Sequence, residues 1–269
     1  MLILLTYFIL GGMFSGFAAG LFGLGGGCFL IPLFLFLLPK LGASSAQVMH
    51  QAVATSLAII IPSTLSASYK QYQQGNIDTN ILKIWIPCVS LGLLLTIFIF
   101  DRISSSTLQY FFIGYLCICV LYMLFKQTPP ENNIVKKIPF ISCAFVGFVV
   151  GALSVLLGIG GGTMTIPFFT YYQHPLKQAI ALSSVTGVLV GLLGTIGMIA
   201  SSIHETNLAQ FSWGYVNMLS VVMLTPFCII SASYGAKISN ILSESVLKIL
   251  YALFLISIII FVYSRIHNG

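Results

Sequence analysis

Two short elements of this chain have residue types and a spacing suited to holding an anion. They read GLGGGCFLIP over Gly23–Pro32 and GIGGGTMTIP over Gly158–Pro167, a doubled G-x-G-G-G-x-x-x-x-P pattern. Consecutive glycines are poor helix formers, each costing about 1 kcal/mol against alanine, so each cluster is expected to interrupt a helix. A helix restarting at Cys28 or Thr163 aims unpaired N–H groups and the positive end of its dipole at whatever lies before it. A nucleotide loop would instead need a third spaced glycine or a G-K-[ST] ending. Cys28 and Thr163 stand at that position, and no lysine follows either cluster directly.

Few other polar groups lie in apolar sequence. Thr55, Ser56, Ser183 and Ser184 could offer hydroxyls to an anion, or bond back to a carbonyl one turn earlier. The expected substrate-binding set is therefore Gly25, Gly26, Gly27, Cys28, Thr55, Ser56, Gly160, Gly161, Gly162, Thr163, Ser183 and Ser184. Gly23, Gly158, Pro32 and Pro167 shape the breaks. The prolines fall near the first turn of the resumed helices, where a missing N–H costs little. His50, the only histidine of the first half, is a candidate proton carrier or gate. The six cysteines lack the partners of a metal site and read as small buried hydrophobes. No catalytic triad or acid pair is recognisable and no cofactor is implied, so the chain does not read as an enzyme.

The elements that must position these residues follow from composition. Of 269 residues, 6% are charged and 58% hydrophobic, whereas soluble domains carry roughly 25% charge. A soluble enzyme, a coiled coil and a disordered chain are excluded, which leaves an all-α polytopic membrane protein in a cell (inner or plasma) membrane. The net charge of +6 is spread over short loops and suggests no nucleic-acid partner. Eight charge-free runs organise the chain: 1–39, 41–69, 84–100, 103–125, 138–176, 178–204, 206–236 and 249–264. Two of them are 39 residues long, about 58 Å as one helix against a hydrocarbon core of about 30 Å. Both contain a glycine cluster, so each must break or fold back.

Sliding the chain by 135 residues aligns Gly12–Phe34 with Gly147–Phe169 at ten identical positions, six of them glycine, with Pro32 on Pro167. Farther on, HQAVATSLAI (His50–Ile59) resembles KQAIALSSVT (Lys177–Thr186). The organisation is a first membrane repeat, 1–125, a polar linker, 126–137, and a second repeat, 138–269. Each is expected to hold about four spans plus a broken or re-entrant segment. Duplicated halves with equivalent broken helices point to a secondary transporter, because irregular backbone at membrane depth is tolerated only inside protein or along a wet cavity.

Charge sets the expected topology. If each long run returns to its starting face, Lys70, Lys83, Lys126, Lys136, Lys137, Lys177, Lys237 and Lys248 share one side, and Lys40, Arg102 and Arg265 the other. The positive-inside rule prefers this split, which makes the halves inverted and puts both termini outside. No sheet is expected. Gly12 and Gly16, Gly147 and Gly151, and Gly187 and Gly191 have small-residue packing spacing, and Gly151→Ala is expected to be tolerated.

The doubled glycine-proline element, the chain length, the two-half layout and the AVATSL stretch (Ala52–Leu57) together resemble the TauE/SafE sulfite exporter family, also called the toluene-sulfonate uptake permease family. The resemblance covers nearly the whole chain. It implies transport of small sulfur-containing anions such as sulfite, organosulfonates or thiosulfate. The expected partners are the lipid bilayer and a small anionic substrate, and a homo-oligomer is compatible with the sequence. The competing reading is a membrane scaffold or accessory subunit whose glycines serve packing alone.

Overall fold

The computed structural model describes residues 2–22, 27–125, 137–205, 208–239 and 244–268. Ten helices account for nearly all of it. In chain order they are α1 (Leu2–Phe22), α2 (Gly27–Leu37), α3 (Val48–Gln73), α4 (Thr79–Phe100), α5 (Ser105–Phe125), α6 (Phe140–Leu157), α7 (Gly162–Tyr171), α8 (Leu176–Ser201), α9 (Met218–Ser239) and α10 (Glu244–Asn268). Five of them (α3, α4, α6, α8 and α9) are long and apolar enough to cross a bilayer, and α1, α5 and α10 add shorter apolar stretches. The chain is a multi-pass helical membrane protein.

Both long apolar runs are divided into two helices, α1 and α2 in the first and α6 and α7 in the second, and both fold back. In the first run, Gly11 of α1 lies against Leu33 of α2. Nearer the start of α1, the rings of Tyr7 and Phe36 are 5.2 Å apart, and the Lys40 ammonium sits 4.3 Å from the Tyr7 centroid. Rising numbers in α2 meet falling numbers in α1, so α2 runs antiparallel to α1. In the second run, Pro167, Phe168 and Tyr171 of α7 share a groove with Ser142, Phe145 and Val146 near the start of α6, which is the same return. The half-helices begin at Gly27 and Gly162 and hold 11 and 10 residues, about 15–17 Å each.

The fold-back sorts the charges. Gln47 Nε2 donates to Glu205 at 2.9 Å, the Gln210 amide to the Leu41 carbonyl at 2.9 Å, the Met49 amide to Ser105 Oγ at 3.2 Å, and Arg265 to the Leu35 carbonyl at 3.3 Å. These contacts gather Lys40, Arg102, Glu205 and Arg265 at one end. At the other end Trp85, near the start of α4, packs on Phe168 and Phe169 near the end of α7. Lys70, Lys83, Lys137, Lys177 and Lys237 belong to that end. Lys126 and Lys136 fall outside the described residues.

Helix α3 is the most buried of the five long helices and the least apolar. It carries His50, Gln51, Thr55, Ser56 and Thr64, all buried. Lipid would not solvate those groups, so the most polar helix takes the centre, packed along α8. The outer helices pair as α1 with α9 and α4 with α6. Glycines let these backbones meet. A Cβ on Gly16 would stand 2.3 Å from the Cys228 carbonyl, one on Gly235 2.1 Å from that of Phe17, one on Gly151 2.0 Å from that of Val89, and one on Gly92 2.0 Å from that of Phe148. The packing role of Gly16 and Gly151 holds, but the expected tolerance of Gly151→Ala does not, because its Cβ would face backbone that cannot move aside.

The expectation of no sheet also fails. A two-residue hairpin, β1 (Ser212–Trp213) with β2 (Val216–Asn217), pairs Ser212 with Asn217 and Trp213 with Val216. Gly214 turns it at φ +55°, a conformation glycine adopts without penalty. The hairpin is held on α3 and α8: the Asn217 amide donates to Thr55 Oγ1 at 3.0 Å, the Ala209 amide to Gln51 Oε1 at 3.1 Å, and the Tyr215 amide to Ser202 Oγ at 2.7 Å.

Two predictions follow from this packing. Reporter fusions at Gly75 and Asn132 will report the cytoplasm and a fusion at Gly269 the outside; a cytoplasmic signal at Gly269 would contradict the double fold-back. Gly151→Ala will destabilise the detergent-purified protein by roughly 1–3 kcal/mol, read as a lowered melting temperature. Gly114→Ala, where a Cβ meets nothing within 4 Å, will leave it unchanged.

Candidate functional site

The second break can be read residue by residue. Helix α6 ends on Gly158, left-handed at φ +59°, and the chain re-enters a helix through Gly161, left-handed at φ +75°. Any Cβ there is strained. One on Gly161 would also press on Thr186 at 2.9 Å, and one on Gly158 on Ile31 at 2.8 Å. The carbonyl of Gly161 is consumed, accepting from the Thr165 amide at 3.1 Å and the Thr165 hydroxyl at 2.8 Å. The amides of Ile159 and Gly161 are consumed as well, by Ser154 and Ile159 carbonyls. The amides of Gly160, Gly162 and Thr163 have no hydrogen-bond acceptor among the described residues. Among the described residues, three donors at the start of α7 thus have no acceptor, and Gly158–Gly162 are buried.

The start of α2 comes directly to this break. A Cβ on Gly27 would lie 2.2 Å from the Gly158 carbonyl and 2.9 Å from Ile159 Cα. Ser56, at mid-length of α3, donates to the same Gly158 carbonyl at 2.9 Å. Gly187 of α8 closes the far side, near the Gly160 carbonyl. Gly27, Ser56, Gly158, Gly160 and Gly161 therefore form one assembly between α2, α3 and α8. Gly23, Gly25 and Gly26 lie outside the described residues.

Thr163 makes a short hydrogen bond with the Tyr115 hydroxyl of α5. Cys119, one turn farther along α5, lies near both Tyr115 and Cys28. The matched positions 28 and 163 thus converge on one face of α5. Tyr115 was not singled out from sequence; its signal is the Tyr115/Cys119 spacing of four, which puts both on one face of an apolar helix. Pro32 and Pro167 are the sixth residues of α2 and α7, one turn deeper than the sequence suggested. They withhold an N–H from the carbonyls of Cys28 and Thr163 four residues earlier.

The remaining expected groups point elsewhere. Thr55 accepts from the hairpin. Ser184 bonds back to the Ile180 carbonyl at 2.9 Å. Ser183 is buried and is brought to no other member of the set by a hydrogen bond. His50 stands at the mouth of α3 between the rings of Phe100 and Tyr215, with centroids at 4.9 and 5.2 Å. Asn217 is the second group the sequence did not flag. The 206–236 run is 31 residues long, about ten more than a span needs, and that excess is where the hairpin forms.

Fold and geometry define a polytopic membrane protein whose two interrupted helices meet inside a helical core. The family model for the sulfite exporter TauE/SafE matches residues 8–262, and the chain belongs to that family. A probable membrane transporter protein of Haemophilus influenzae is 30% identical over 260 residues, covering 96% of this chain and 97% of its own. One from Methanocaldococcus jannaschii is 29% identical, covering 93% and 91%. YunE of Bacillus subtilis, also named a probable membrane transporter protein, is 26% identical, covering 92% and 93%. No solved structure matches.

If the Ser56 hydroxyl holds the break in place, Ser56→Ala will cost roughly 1–3 kcal/mol, because the buried Gly158 carbonyl loses its donor. Thermal unfolding of the purified variant measures this.

Proposed function

We propose that this protein is a secondary permease for small sulfur-containing anions such as sulfite, thiosulfate or organosulfonates. The anion is held by backbone amides where the two interrupted helices meet. The observation that carries this reading is the set of open amides of Gly160, Gly162 and Thr163 at the start of α7, with the start of α2 against the same break. Amides at a helix start are a natural anion site. The charge-free runs supply no lysine or arginine to lock the anion in a full ion pair, which suits a substrate that must leave as readily as it arrives. The substrate class rests on family membership, and the transporter names of the relatives agree with permease activity.

In this reading residues 1–125 and 138–269 are inverted repeats joined by the 126–137 linker, with the breaks near the bilayer midplane. Two observations support the arrangement. The α1–α9 and α4–α6 pairs exchange when the halves are swapped, whereas α3–α8 and α5–α10 map onto themselves. Gly16 and Gly151, equivalent in sequence, make equivalent close approaches.

The test is flux of labelled sulfite, thiosulfate and taurine into proteoliposomes. Gly161→Leu puts a side chain at a left-handed position in the approach to the amides. It will cut flux about tenfold or more, at least 1.4 kcal/mol of barrier or affinity, while Gly114→Ala retains it. Equal flux through both would remove the break as the substrate site. A wild type that carries none of the three and is stabilised thermally by none would favour the scaffold reading.

A further inference from the structure

Gln47, His50 and Gln51 stand at positions i, i+3 and i+4 where α3 begins, so they share one face. Four side-chain atoms of this face are buried without a hydrogen-bond partner: Gln47 Oε1, both ring nitrogens of His50, and Gln51 Nε2. Among the described residues only Thr195 and Thr225 contribute other such atoms. His50 is 4% exposed and Gln51 0%. Buried polar groups in folded proteins are almost always paired, so a cluster of unpaired donors and acceptors marks a place kept for something that can both give and take hydrogen bonds.

The surroundings select a positive ligand. From α4 comes the edge of the Phe100 ring, followed in the turn by Asp101, and from the hairpin the Tyr215 ring. From the segment after α8 comes Glu205, which accepts from Gln47 Nε2 at 2.9 Å. The chain has five acidic residues in all, and two of them stand beside this face. Helix-end carbonyls and carboxylates draw a cation and repel an anion. Gln47 and Gln51 carry no charge of their own. An imidazole nitrogen with no other metal-ligating side chain beside it accepts one cation, a proton.

We propose that His50 is a proton-binding site that couples anion movement to a proton; the coupling rests on the permease reading, and the proton site does not. His50 lies six residues before Ser56 on α3, about 9 Å along the axis. An imidazolium there offsets the charge of an anion at the break, within a charge-free run that holds no lysine or arginine. In each cycle one proton adds to a ring nitrogen from water at the Lys40–Arg265 end and leaves when the anion does.

Two measurements test this. The first is 15N NMR of histidine-labelled protein in nanodiscs. The resonance absent from His50→Gln will move from the neutral to the protonated position as the pH is lowered from about 8 to about 4. A single neutral tautomer across that range overturns the proposal. If the variant does not purify, the His50 line is found in wild type by elimination with His174→Gln, His204→Gln and His267→Gln. The second uses labelled thiosulfate, which carries no proton of its own near neutrality. For one coupled proton, an imposed gradient of one pH unit will raise its accumulation in wild-type proteoliposomes by up to about tenfold. His50→Gln will lose that response even when its uptake is scaled to its own thiosulfate exchange at zero gradient. A variant that keeps the gradient response overturns the coupling. A wild type that moves no thiosulfate counts against the permease reading, and the NMR titration still decides the proton site.

Discussion

A helix that stops inside a bilayer leaves amides and carbonyls that hydrocarbon cannot satisfy, and much of this structure answers that constraint. The break after α6 is surrounded by protein: α3 supplies the Ser56 hydroxyl to the Gly158 carbonyl, α8 brings Gly187 against Gly160, and α2 brings Gly27 against Gly158. To surround it so closely, α3 and α8 must lie at the centre, which is why the least apolar long helix can also be the most buried. The outer helices must then seal the assembly from lipid. They do so by backbone contact at Gly16, Gly92, Gly151 and Gly235, where a membrane interior offers no hydrophobic drive between helices.

The same constraint separates glycines that look alike in sequence. Gly151 and Gly161 are ten residues apart. The first is an ordinary helical residue pressed on the Val89 carbonyl, and the second is left-handed, with its Cβ position against the Thr186 and Ser154 side chains. Substitution at the first costs packing alone. Substitution at the second also forces an L-residue into a backbone conformation it rarely adopts. Treating both as one small-residue class would miss that difference.

Much of the fold was legible before the structure. The two charge-free runs of 39 residues forced a break, and the doubled glycines placed it. The charge split anticipated the fold-back that Tyr7, Phe36 and Lys40 display. The hairpin was not legible, because its four paired residues lie inside a charge-free run, where composition cannot tell a strand from a helix start. The site was legible in part. Glycine spacing located the backbone at Gly158–Gly162, but the partners of single hydroxyls depend on helix rotation. Ser56 faces the break and its neighbour Thr55 faces the hairpin, and nothing in the residue types distinguishes the two. Tyr115 reaches Thr163 across 48 residues of chain, a pairing only the packed bundle reveals.

The central claim is that open backbone amides at the start of α7 receive the anion. Amide NMR of protein labelled with 15N-glycine and 15N-threonine in nanodiscs, titrated with thiosulfate against a chloride control, tests it most directly. The account predicts saturable shifts at Gly160, Gly162 and Thr163, with Gly114 and Gly42 unmoved. Saturable shifts elsewhere with those three amides unchanged would contradict it.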